Sequence, residues 1–272
     1  MSRGRKRSAM SAVVLSIAAG GTLSCADGEE RNTSARAPKD AVPAQIGLSG
    51  GTVTVGVKLG KSRHTTEVQS FRIAVTPTTV AQYARCVEGG NCSAPGDSSP
   101  KCAERAAGAA GFTFDVEGAA DAPVTCVTPK QAKQFCSWVG GSLPTVAQWL
   151  LAARGPNVTR FSWGNEPVTC ERHWTVSWTN PRSCCRDNCN PILGAITGTK
   201  AGTGEPGRMQ DTLVAPGEFV KPEADQRVLG CAPQHDVCLI SGRVPGAIDE
   251  VRSFEAESAP GPATFRCSWS AE

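Results

Sequence analysis

The sequence predicts a loop-rich domain, stapled by disulfides, in which short strands are followed by short helices. Three observations predict it. Thirteen of the 272 residues are cysteine, and twelve of them lie beyond Cys25, which directly follows a segment that reads as an export signal. Two runs alternate apolar and polar residues with the period of a strand. Three later segments open with the same Thr-x-x-Gln helix start, and each stops at glycine. At about 100–200 residues per domain, the length allows one large domain or two small ones.

The N-terminus comes first in the chain and sets the compartment. Arg3, Arg5, Lys6 and Arg7 precede an apolar stretch from Ala9 to Ala19, which ends in small residues before Cys25. About 20 apolar residues are needed to cross a bilayer, so this stretch is too short to be a transmembrane helix. Basic, apolar and small-residue regions in that order make residues 1–24 a secretory signal peptide. Leu23-Ser24-Cys25 is similar to a bacterial lipobox, with the leucine one place later than usual. Two outcomes stay open: Cys25 as a lipidated N-terminus, or plain cleavage near Ser24. The expected location is the periplasmic or cell-surface side, with the membrane reached only through a lipid anchor. Residues 25–48 are polar, charged and rich in Pro and Ala, and read as a flexible tether. The domain proper is expected over 49–272.

Charge narrows the function classes. Lys+Arg number 28 and Asp+Glu 25, a net +3. Setting aside the four basic residues before position 8 leaves 24 against 25. A nearly neutral body lacks the basic face that nucleic-acid binding requires.

Export also decides the reading of the cysteines. Outside the cytosol, paired cysteines are normally bridged, and no recurring CxxC pair points to zinc. With Cys25 removed or lipidated, twelve remain, which permits up to six disulfides; their connectivity stays open. Cys184, Cys185 and Cys189 form the densest cluster. Partners elsewhere in the chain are one reading of it. A reactive or metal-binding thiol pair, favoured by the neighbouring Arg186, is the other.

Along the body, Thr52–Val57 and Phe71–Val75 read as strands. Thr79, Thr128 and Thr145 each begin a capping box, in which the threonine oxygen accepts from a free backbone N–H and the glutamine three residues on reaches back. Tyr83, Cys86 and Val87 lie on one face of the first helix. In the second, Pro129 takes the favoured first position, and Ala132, Phe135, Cys136 and Val139 line a buried stripe. In the third, Trp149, Ala152 and Ala153 face inward. Glycines 89–90, 140–141 and 155 end the three. From Gly194 to Pro222 no periodicity is visible, and the stretch reads as irregular loop.

Two matches to catalytic patterns fail on context. Gly47-Leu48-Ser49-Gly50-Gly51 fits the G-x-S-x-G elbow, which needs a strand before it and a helix after it. Here a strand-like run follows. Gly202-Thr203-Gly204-Glu205-Pro206-Gly207 fits G-x-G-x-x-G but has proline in the turn and no βαβ surroundings. His64, His173 and His235 are widely spaced and form no HExxH pattern.

Pro123-Val124, Ala132, Cys136-Ser137-Trp138 and Gly140-Gly141-Ser142-Leu143-Pro144-Thr145 are followed by Trp149, Ala152-Ala153-Arg154-Gly155 and Trp163-Gly164-Asn165-Glu166. Together they resemble the central signature of the formylglycine-generating enzyme, or sulfatase-modifying factor, family. Thr79 and Tyr83 resemble its upstream helix, and Phe265-Arg266-Cys267 its terminal G-F-R-C. The resemblance spans about residues 50–267 and is most specific from 123 to 166. It implies a single α+β domain, a relative of C-type-lectin-like folds, with structural calcium. Members oxidise a sulfatase cysteine to formylglycine, using dioxygen and Cu(I) held between two cysteines. Two thiolates suit that soft ion.

The chain departs from the family pattern where that chemistry belongs. Gly246–Val251 is a degraded likeness of the family's G-N-V-W-E-W motif; Ala247 replaces an asparagine near a calcium site, and Glu250 retains a carboxylate. Between it and Phe265, residues 252–264 contain no cysteine, although the family's copper pair lies there. Cys184 and Cys189 have the C-x-x-x-x-C spacing on the other side of that motif. Val146, Gln148 and Leu150 stand where the family has glutamates. The expectation is a non-catalytic binding module for a peptide, a glycan or an envelope protein. The alternative is a divergent copper oxidase using Cys184 or Cys185 with Cys189, or Cys231 with Cys238. A purely structural envelope protein is the third reading.

Overall fold

The computed structural model describes residues 36–55, 64–95, 113–114, 117–155, 164–166, 173–174, 198–199, 217–222, 236–242, 251–255 and 263–271. A short 3-10 turn over Lys39–Ala41 leads into β1 (Gln45–Leu48), β2 (Gly51–Val55), β3 (His64–Val68) and β4 (Phe71–Ala74). Helices α1 (Val80–Glu88), α2 (Pro129–Trp138) and α3 (Val146–Arg154) follow. The later part supplies β5 (His173–Trp174), β6 (Gly198–Thr199), β7 (Glu218–Val220), β8 (Cys238–Gly242), β9 (Val251–Glu255), β10 (Thr264–Phe265) and β11 (Ser268–Ser270).

All three expected helices form, each with both halves of its capping box. Thr79, Thr128 and Thr145 accept from the backbone N–H of Gln82, Gln131 and Gln148, whose side chains accept from the threonine N–H in return. Gly90, Gly140 and Gly155 take φ of 69°, 78° and 69° just past the helix ends. That left-handed backbone is where glycine stops a helix at least cost.

The sheets join sequence-distant segments. β4 is the middle strand of an antiparallel set ordered β1-β4-β11, so segments far apart in sequence share one strand. A second sheet is ordered β10-β7-β8-β9, with β10 parallel to β7 and the other pairs antiparallel. β2 and β3 form a hairpin, and β5 pairs with β6.

Two expectations change here. Residues 45–48, assigned to the tether, pair with β4 from Gln45↔Ala74 to Leu48↔Phe71, so the domain begins before residue 49. The Gly194–Pro222 stretch, read as loop, contains β6 and the buried strand β7. Glu218, Phe219 and Val220 are too short a run to show a period, and a buried glutamate breaks the polar-out rule that period reading depends on.

Among the described residues, two apolar clusters form the interior. In one, Tyr83, Phe135 and Phe265 meet ring to ring, with centroids 5.6–6.3 Å apart, between α1, α2 and the C-terminal strands. The other surrounds α3, where Val146, Trp149, Leu150, Ala152 and Ala153 pack with Val53, Val68, Phe71, Ile73, Val220 and Ile240. α3 is therefore covered on nearly every side, as an apolar helix must be. Gly50 is required where β1 turns into β2, because a Cβ there would clash with the Val68 carbonyl oxygen. Ser49 of the G-x-S-x-G match sits in this strand-to-strand connection, and no helix follows it.

All six cysteines among the described residues are disulfide-bonded: Cys86 to Cys92, Cys136 to Cys267, and Cys126 and Cys238 as well.

Candidate functional site

Among the described residues, the most concentrated polar chemistry lies in the core. β7 carries Glu218 inward, and the link between β10 and β11 carries Arg266 to meet it; both side chains are fully buried. Arg266 Nε donates to Glu218 Oε2 at 2.6 Å, and Nη2 donates to Oε1 at 2.9 Å. The Trp149 indole on α3 donates to the same Oε2 at 2.9 Å. Arg266 Nη1 reaches on to the carbonyls of Ala74 and Val75 at 3.3 and 2.8 Å. Bidentate guanidinium–carboxylate geometry supplies the extra hydrogen bonds that a desolvated ion pair needs. The cluster ties β4, β7, α3 and the C-terminal segment to one point. Closed off from water, it can position the strands around it; it offers no approach to a substrate. Sequence reading singled out Arg266 through the Phe265-Arg266-Cys267 motif but missed Glu218.

A second cluster lies in the loop ahead of α3. Lys221 Nζ donates to Ser142 Oγ at 3.1 Å, Ser142 Oγ donates to the Leu143 carbonyl at 3.3 Å, and Ser268 Oγ donates to the Ser142 carbonyl at 3.3 Å. Backbone bonds between Ser142 and Ser268 run in both directions. Gly141 is confined here as well, since a Cβ would lie 2.7 Å from the Ser268 carbonyl oxygen and 2.8 Å from the Trp269 indole nitrogen.

A third cluster fixes the loop after α1. Tyr83 donates its hydroxyl to the Ser93 carbonyl at 3.1 Å, while Gln131 Nε2 reaches Ser93 Oγ and the Ala94 carbonyl, both at 2.9 Å. Burial pushes the Tyr83 phenol well above its ordinary value, because the phenolate would lose its hydration.

The fold that holds these clusters has counterparts in known proteins. Residues 30–194 match the family described as the sulfatase-modifying factor enzyme 1-like domain. The chain belongs to that family.

Two curated relatives are formylglycine-generating enzymes. The one from Thermomonospora curvata is 40% identical over 57 residues, covering 21% of this chain and 19% of the relative. The one from Bos taurus is 37% identical over 59 residues, covering 21% of this chain and 16% of the relative. The matched segments thus span less than a fifth of each relative's length. A solved structure of CarF superposes with a TM-score of 0.56 at 15% identity, over 85% of this chain and all of that one. At that identity the likeness is one of fold.

Within the sulfatase-modifying-factor fold, the sequence-derived site residues are not brought together among the described residues. Cys25, Cys184, Cys185, Cys189, Cys231 and Glu250 lie outside them. Cys238, half of the Cys231–Cys238 candidate, is disulfide-bonded, and a sulfur committed to a disulfide cannot serve as a thiolate ligand. That pair does not fit Cu(I) as it stands. For calcium, no group of three or more His, Cys, Asp or Glu side chains gathers among the described residues.

Proposed function

We propose that this is an exported sulfatase-modifying-factor domain, anchored through a lipid on Cys25, that has left the family's copper chemistry and acts as a binding module. The observation that carries this reading is the state of the cysteines: all six that the structure describes are bridged. Bridges persist in oxidising compartments, which supports export. The same bridging takes Cys238 out of the thiol pool, and the cysteine-free stretch 252–264 supports the loss of the copper pair. A peptide, a glycan or an envelope protein is the ligand class that a loop-rich surface on a rigid frame suits, because binding residues concentrate on such loops.

The anchoring is tested by fractionating cells that express the full chain and its Cys25→Ser variant. The expected result is a membrane-bound, lipid-modified wild-type protein with an acylated residue 25, and a Cys25→Ser protein that leaves the membrane fraction. Wild-type protein cleaved near Ser24 and recovered free of lipid would overturn the anchor. The C-x-x-x-x-C spacing of Cys184 and Cys189 favours the second reading, a divergent formylglycine-generating oxidase acting on a protein cysteine.

A further inference from the structure

We draw no further inference here: the strongest candidate, the Lys221–Ser142–Ser268 cluster in the loop ahead of α3, carries nothing because its polar groups are engaged in fixing that loop and nothing among the described residues shows what would bind there.

Discussion

Glu218 anchors a fully buried polar cluster. Two guanidinium nitrogens and one indole nitrogen donate to its carboxylate. Removing one member of a buried pair leaves the other desolvated without compensation, which costs about 3–5 kcal/mol. Glu218→Gln is therefore expected to lower unfolding stability by roughly that amount in urea denaturation. The double change Glu218→Leu with Arg266→Met should be milder, since it strands no charge. Tyr83 makes a second prediction at this scale. It is the only tyrosine in the chain, so tyrosinate absorbance reports on it alone. Its folded-state value is raised above the ordinary 10.0, so above that pH the unfolded chain gives up its proton first. The phenol's contribution to stability is complete below pH 10.0 and is lost as pH rises toward the folded value. Tyrosinate absorbance should accordingly appear together with alkaline unfolding. Ionisation of Tyr83 at its ordinary value in folded protein would contradict this.

The elements differ in how openly the sequence announces them. α1, α2 and α3 were legible because a capping box is written in four adjacent residues and needs no tertiary partner. Thr128→Ala removes the acceptor for the Gln131 N–H and should cost about 1 kcal/mol, measured by thermal or chemical unfolding; Thr128→Ser should restore most of it. The strands were legible only where they alternate. β4 shows Phe71 and Ile73 buried with Arg72 between them, and its pattern announced it. β1, Gln45-Ile46-Gly47-Leu48, lies between Pro43 and the Gly50-Gly51 pair and looks like linker; pairing with β4 makes it a strand. β7 hid for a different reason. Its Glu218 is buried by a partner 48 residues away, and no local pattern can encode that. α3 was seen as a helix, but its near-complete burial was not, because the β2–β3 hairpin that packs on it comes about eighty residues earlier in the chain.

At the scale of the molecule, the C-terminal segment closes the domain. β11 pairs with β4, Arg266 locks onto β7, and Cys267 is bridged to Cys136 on α2 across 131 residues of sequence. Long-loop disulfides of this kind contribute about 3–5 kcal/mol by restricting the unfolded chain. Cys136 and Cys267 both stood in the motifs that resembled the family, so the frame and its family were readable from the sequence. The chemistry was not, because Cys184, Cys189 and Glu250 could be chosen only by spacing and by analogy with motifs this chain carries in degraded form. We propose that the family's frame persists here without its copper site. Cu(I) titration of the mature protein under mild reduction, followed by alkylation mapping of the cysteines, tests it most directly. The expected result is no tight equivalent of Cu(I) and no pair of cysteines shielded by metal. One tight equivalent that protects Cys184 and Cys189 from alkylation would contradict it and identify the oxidase site.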